Sequence, residues 1–249
     1  MEPVYAVVLA GDNEDHKIKQ GSVIPNKAFI KINGRNMVEY VLDCLRETEG
    51  LAEVAIIGPE DKFRKLGEGF RIIPQQGDMI ENIKVAAETF RDGWLLLCSC
   101  DIPLLTPAAV QDFLSNCRGA DMFYPLVGKE DCDRVFPEMQ RTWVKLKDGI
   151  FTGGNMALIR TSMVSVAADP ARAFFAARKS PVQLASLIGL GTLVKLALRT
   201  LTIAELEAKM AGILGLSCKA VPTSYPEIGT DVDKESDYNL ISAKLKMAR

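Results

Sequence analysis

Asp101 closes an apolar run, Trp94-Leu95-Leu96-Leu97-Cys98-Ser99-Cys100-Asp101-Ile102-Pro103, and a proline turns the chain at once. A buried strand that stops this way aims a carboxylate at the open edge of a sheet. In α/β proteins that edge, beyond the carboxyl ends of the strands, is where ligands bind. A carboxylate there can hold Mg2+ against the phosphates of a nucleotide. The same residue type also serves as a turn former or helix cap, and the run alone leaves both open. Near the other end of the chain, Asp231 and Asp233 alternate as at the end of a strand. A carboxylate from that segment can complete the coordination that Asp101 begins, while Asp233 is also placed to cap the last helix.

Three further segments carry polar chemistry. Val7-Val8-Leu9-Ala10-Gly11-Asp12 is a strand running into a glycine loop, and Asn26-Lys27-Ala28 follows. Backbone N–H groups of such a loop can cradle a phosphate, and Lys27 adds a point charge for the same anion. The loop has neither the G-x-G-x-x-G of a dinucleotide fold nor the Gly-Lys-Ser/Thr of a P-loop. Gln75-Gln76-Gly77-Asp78-Met79-Ile80-Glu81-Asn82 is a polar turn feeding a helix, whose free N–H groups and amides can read a base and ribose. Asp78 is equally an ordinary N-cap. Phe151-Thr152-Gly153-Gly154-Asn155-Met156 sets paired glycines before a strand, which permits close approach of a ligand or another backbone, or a simple hairpin turn.

The elements that must position these groups alternate. Strands are expected at Val4–Ala10, Val54–Ile57, Arg71–Ile73 and Trp94–Cys100, and helices at Asn36–Arg46, Asp78–Phe90 and Pro107–Cys117. Apolar spacings of three and four between short β-rich runs are the signature of βαβ units on a mostly parallel sheet. Beyond residue 120 the strands Asp121–Val127, Thr142–Leu146 and Met156–Arg160 are separated by loops, so antiparallel additions are expected. From Asp169 the pattern turns helical: Asp169-Pro170 and Ser180-Pro181 read as caps before a first-turn proline, Thr202 with Glu205 as a capping box, and Gly215 as a helix stop. Ser217–Val221 returns to strand and Lys234–Met247 forms a terminal helix. The chain reads as a single domain over 1–249 with a helical insertion at 169–216.

Composition narrows the function. Of 249 residues 48% are hydrophobic and 25% charged, an ordinary globular balance. Thirty basic against 32 acidic residues give a net charge of −2, which argues against a bulk nucleic-acid binder. Six cysteines lack paired spacing, and Cys98 and Cys100 share one strand face, as buried thiols do. With a strand already at Val4 in place of a signal peptide, a reducing cytoplasm is expected. The apolar stretch Leu184–Leu201 is broken by Lys195, Arg199 and two glycines, so no membrane span is expected. The single histidine, His16, gives no basis for a histidine triad.

Taken in order, Val8-Leu9-Ala10-Gly11, Asn26-Lys27-Ala28, Gly34–Leu42, Gly77–Asn82, Cys100-Asp101-Ile102-Pro103, Gly153-Gly154-Asn155 and Asp231–Asp237 resemble the nucleotidyltransferases. The resemblance is to the molybdenum-cofactor guanylyltransferase-like and sugar-phosphate nucleotidylyltransferase proteins, and it covers most of the chain outside 169–216. It implies a GT-A-like three-layer α/β/α fold with a mostly parallel mixed sheet. It implies that an NTP is coupled to a phosphorylated acceptor, such as a sugar, polyol or molybdopterin phosphate, with release of pyrophosphate. Leu9, Ala10, Gly11, Lys27, Gln76, Gly77 and Asn82 would bind the nucleotide, with Lys27 on its phosphates. Asp101 and Asp233 would hold Mg2+, Lys27 and Asp101 would be catalytic, and Gly153, Gly154 and Asn155 would line the acceptor side. Where the family has a second glycine and an arginine in the phosphate loop, this chain has Asp12-Asn13-Glu14-Asp15-His16-Lys17-Ile18-Lys19. Acids there repel a triphosphate unless a metal or lysine neutralises them, and Lys17 or Lys19 would stand in for the arginine. Two rivals follow: a nucleotide-binding regulatory protein without catalysis, and a glycosyltransferase using a nucleotide sugar. The apolar insertion, with Phe174, Phe175, Leu184, Leu187, Leu193 and Leu198, predicts packing on the domain or a homodimer face. A lid over the acceptor is the other reading of it.

Overall fold

The computed structural model describes residues 2–11, 16–19, 22–24, 26–177 and 180–247, with backbone alone at 16–19, 22–24, 181 and 182. In chain order the first half runs β1 (Val4–Leu9), β2 (His16–Lys19), β3 (Ser22–Ile24), β4 (Lys31–Ile32), β5 (Arg35–Asn36), α1 (Met37–Glu47), β6 (Leu51–Gly58), α2 (Glu60–Phe63), β7 (Arg71–Pro74), α3 (Met79–Thr89), β8 (Trp94–Ser99) and α4 (Pro107–Asn116). The second half adds β9 (Met122–Gly128), α5 (Lys129–Val135), β10 (Val144–Leu146), β11 (Gly149–Gly153), β12 (Met156–Arg160), α6 (Val164–Ala177), α7 (Pro181–Ile188), α8 (Leu190–Ala197), α9 (Ile203–Leu214), β13 (Cys218–Thr223) and α10 (Glu235–Met247).

Among the described residues nine strands form one mixed sheet, ordered β10-β11-β9-β12-β8-β1-β6-β7, with β13 paired to β9. Strands β8, β1, β6 and β7 are parallel neighbours, and β12 joins β8 antiparallel. The sheet is covered on both faces, which is why its central strands read as unbroken apolar runs. Ala6, Val8, Ile56, Leu96 and Cys98 point into one core, with Val41, Leu45, Val110 and Phe113 of α1 and α4. Val7, Ala55, Ile57, Leu95 and Leu97 point into the other, with Ala86 of α3, Ala167 of α6 and Leu214 of α9. This is the three-layer α/β/α arrangement that the sequence implies.

Register sets the working edge. Leu9 pairs with Ile57 on one side and Ser99 on the other, so Ala10, Gly58 and Cys100 leave three parallel strands at one level, and Asp101 comes next.

Several local expectations are corrected. Pro170 lies inside α6 and does not open a helix, because a 3-10 turn at Thr161–Met163 starts the helix earlier and Val164, Ala167 and Ala168 bury against the sheet. The helical segment therefore begins at Val164, five residues ahead of the expected 169. Beyond β9 a helix, α5, and a strand, β11, stand where loops were expected, while β10 falls within the strand expected at Thr142–Leu146 and the expected antiparallel additions are present. The caps at Ser180 and Thr202 and the left-handed stop at Gly215 are present as read.

Candidate active site at the carboxyl edge of the sheet

Asp101 leaves the end of β8 and turns into the cleft, where the Ser99 hydroxyl donates to its Oδ1. The other oxygen, Oδ2, accepts from Lys27 Nζ at 2.8 Å. Lys27 Nζ also donates to Asp233 Oδ1 at 2.5 Å, joining residues 206 positions apart. Asp231 completes the group: ligand oxygens of Asp101, Asp231 and Asp233 all lie within 4.8 Å of one another. The resemblance implies Asp233 as the partner of Asp101, and the fold brings Asp231 to the same place.

Each member is held by its own anchor. The Val232 N–H donates to the Asp101 carbonyl at 3.0 Å, which stitches the 231–233 segment to the end of β8. Asp237 accepts from the N–H groups of Asp233 and Lys234, so the start of α10 is bound by Asp237 while the Asp233 carboxylate faces Lys27. Arg141 donates to the Gly229 carbonyl and, at 2.5 Å, to Thr230 Oγ1, clamping the approach to Asp231. Arg141 carries no motif, and its role is visible only once residues 141 and 229–230 meet.

Asn26 positions Lys27. Its Nδ2 donates to the Ala10 carbonyl and its Oδ1 accepts from the Ala28 N–H, both at 2.8 Å, and it is only 3% exposed. One buried amide thus fastens the glycine loop after β1 to the 3-10 turn bearing the lysine. Gly58 lets β6 pass beside that loop: a Cβ there would sit 2.5 Å from the Ala10 carbonyl oxygen and 2.3 Å from the Phe63 ring. Both residues were missed as site residues. The signal was an Asn beside Lys27, and a Gly ending an apolar strand.

The electrostatics follow from crowding. Burial by itself would lower the Lys27 ammonium, but the adjoining Asp101 and Asp233 carboxylates outweigh it and raise the group above its ordinary range. Burial, with Asp101 and Asp233 adding repulsion, pushes the Asp231 carboxyl up to about 7. Three acids against one lysine leave an excess of negative charge facing the cleft. An all-oxygen, acid-rich donor set suits a hard divalent cation such as Mg2+, so the residues present fit the metal implied for this fold. Cys98 and Cys100 are buried in the core, and desolvation holds both thiols well above the usual range, as packing residues.

The remaining expected residues lie after β7, in the first turn of α3 and from the end of β11 to the start of β12. Gly77 has φ +61°, and Asn82 is buried with its Oδ1 accepting from the Gln76 N–H at 2.7 Å. Asn82 therefore shapes the Gln76–Gly77 turn, and Asp78 caps α3 by accepting from the Glu81 N–H. Gly153 ends β11, and Gly154 and Asn155 form the break before β12. A Cβ on Gly153 would meet the Tyr124 hydroxyl at 2.5 Å, and one on Gly154 would meet Pro125 and Ile228 at 2.6 and 2.7 Å. The two glycines thus serve close packing, whatever else they line. Asn155 is different: its backbone N–H donates to the Ile228 carbonyl and its carbonyl accepts from the Ser99 N–H, which ties this half-buried residue to the end of β8, two positions before Asp101. Asp12–Asp15 lie outside the described residues, as do the side chains of Lys17 and Lys19. Leu9 packs partly buried on the α3 side.

A sequence profile of the MobA-like NTP transferase domain matches residues 6–186. A hypothetical transferase from Thermus thermophilus is 37% identical with a TM-score of 0.84, over 96% of this chain and 100% of that one. The fold is shared more distantly by a CMP:2-keto-3-deoxy-manno-octonic acid synthetase complexed with CTP, at 13% identity and TM-score 0.62 over 99% of this chain and 100% of that one. It is shared also by a 4-diphosphocytidyl-2C-methyl-D-erythritol synthase from Anaerococcus prevotii, at 10% identity and TM-score 0.57 over 98% and 96% of the two chains. No curated protein sequence matches this chain.

Proposed function

This chain belongs to the MobA-like NTP transferase family, and from that premise we propose that it couples an NTP to a phosphorylated small-molecule acceptor with release of pyrophosphate. The observation that carries this reading is the meeting of Lys27 with Asp101, Asp231 and Asp233 beside the Ala10–Gly11 loop. An acceptor phosphate oxygen attacks the α-phosphorus, forming one P–O bond. The bond from the α-phosphorus to the bridging oxygen breaks, and the electron pair leaves with pyrophosphate. A phosphate nucleophile is already anionic near neutral pH, so no strong general base is needed. Alignment and charge neutralisation supply the rate.

In this reading Leu9, Ala10 and Gly11 pass along the phosphates, and Gln76 and Gly77, shaped by Asn82, face the base. Lys27 gives up its carboxylate partners to the nucleotide phosphates and screens the charge that gathers on the leaving pyrophosphate. Asp101 and Asp233, joined by Asp231, would hold Mg2+, which when bound neutralises phosphate charge. Asn155, with Gly153 and Gly154 behind it, orients the acceptor. All six cysteines are free thiols, which supports a reducing, cytoplasmic setting. No helix among the described residues is long and apolar enough to cross a membrane. The homodimer expected through the helical insertion requires a second copy over the exposed face of α8; the charge of that face favours a different occupant, argued below.

The test is pyrophosphate release with Mg2+, each NTP separately, and a panel of phosphorylated acceptors. Release with one NTP, dependent on an acceptor and lost in Asp101→Ala, is expected. Full activity in Asp101→Ala would sink the site assignment, and binding of NTP without turnover on any acceptor would favour the regulatory protein.

A further inference from the structure

Between Pro170 and Ile203 the chain carries five basic residues and no acidic one, although its net charge is −2. Helix α8 lies in this segment and exposes apolar side chains: Leu190 is 74% exposed, Val194 49% and Leu198 68%. Spaced by four, these three fall on one face of a helix. Lys195 and Arg199 follow Val194 and Leu198 by one position each and sit at the edge of the same face, both exposed. Lys195 reaches Glu205, whereas Arg199 has no side-chain partner among the described residues. Lys209 of α9, equally without one among the described residues, lines the open groove of about 470 Å3 beside α8. An apolar arc bordered by cations is the pattern of a helix lying in the interface of an anionic bilayer.

Position adds to the argument. Arg172 of α6 donates to Asp78 Oδ2 at 3.0 Å, tying the insertion to the N-terminus of α3 and the Gly77 turn. At its other end the Leu201 carbonyl accepts from the Lys147 N–H at 2.8 Å, and the Ile203 N–H donates to Asp148 Oδ2 at 2.9 Å. The α7–α8 segment is thus braced between the base-side turn and the tip of the β10–β11 hairpin.

We propose that the exposed face of α8 docks the protein onto anionic membrane surfaces. Leu190, Val194 and Leu198 enter the headgroup boundary, and Arg199 with its basic neighbours meets lipid phosphates. A second copy fits less well, because a twofold contact would bring two acid-free, basic segments together. The inference stands independently of the reaction proposed above.

The test is co-sedimentation of the full chain with vesicles of phosphatidylcholine alone and of phosphatidylcholine mixed with phosphatidylglycerol. Binding to the mixed vesicles, weakened by salt and absent from phosphatidylcholine alone, is expected. Leu190→Gln with Leu198→Gln should weaken it roughly tenfold or more, since each removes a buried leucine from the bilayer. Arg199→Gln should weaken it less and flatten the salt dependence. Unchanged melting temperature and NTP binding would show these variants folded. Equal binding to both vesicle types, or no binding to either, would overturn the proposal. Loss of a concentration-dependent dimer in the leucine variant, without any vesicle binding, would assign the face to a second copy.

Discussion

Lys27 Nζ lies 2.8 Å from Asp101 Oδ2, a contact between the 3-10 turn after β3 and the end of β8, 74 residues later. The lysine is the counter-ion of the acid cluster, and Asn26 ties its turn to the glycine loop. In the proposed reaction it exchanges those carboxylates for nucleotide phosphates.

Lys27→Met should leave three carboxylates without their cation and lower the rate of pyrophosphate release by roughly 10²- to 10³-fold, the scale seen when one charge-stabilising group is removed from a transition state. Lys27→Arg should rescue it poorly, because a planar fork cannot replace a point charge that meets two acids at one atom. A kcat within a factor of about two of wild type in the methionine variant would remove Lys27 from the chemistry.

The Asp231 carboxyl is raised from an ordinary value of 3.8 to about 7, by burial first and then by Asp101 and Asp233. Its folded form thus binds a proton that the unfolded chain releases. The contribution to stability is fully present below about pH 4 and is lost as pH rises through about 7. Metal-free protein should accordingly show a falling melting temperature across that window, and Asp231→Asn should flatten the slope. Mg2+ should raise the melting temperature more at pH 8 than at pH 5. Identical pH profiles for wild type and Asp231→Asn would refute the assignment.

Gly58→Ala would place a Cβ against the Ala10 carbonyl and the Phe63 ring. Overpacking of this kind costs about 1–3 kcal/mol. The expected result is a lower urea midpoint together with weaker NTP binding, since the displaced atom belongs to the loop that the proposed reaction places along the phosphates. A lower midpoint with unchanged NTP affinity would mean that Phe63 alone absorbs the strain.

Asn26→Ala strands a buried carbonyl and a buried N–H, at about 1–3 kcal/mol for each group left unpaired. Asn26→Asp keeps the acceptor for Ala28 but turns a carboxylate oxygen toward the Ala10 carbonyl in a buried site, so at neutral pH it should be no more stable than alanine. Calorimetric unfolding gives the order directly, and an aspartate variant as stable as wild type would show that the bond to Ala10 contributes little.

Much of this site was legible one segment at a time. Asp101 and Lys27 could be picked out because an acid ending an apolar strand and a lysine after a glycine loop each have a local physical reason. Helix caps at Ser180, Thr202 and Gly215 were readable for the same cause: capping is settled within a few residues. Pro170 misled because a proline marks a helix start only where no earlier turn has begun the helix, and Thr161–Met163 had. Arg141, Asn26 and Gly58 carried little signal, since their partners lie elsewhere in the chain.

By itself, the sequence determined the alternation of strand and helix, the burial of the central sheet on both faces, and the residue types able to hold phosphate and metal. These follow from periodicity and side-chain chemistry, which act over short distances along the chain. Tertiary structure alone decided that Lys27 would meet acids from positions 101 and 233, that Asp231 would share their space, and that α8 would turn an apolar face outward. Those outcomes depend on strand register and crossover connections, which bring distant segments to one edge and set the burial and charge each group experiences.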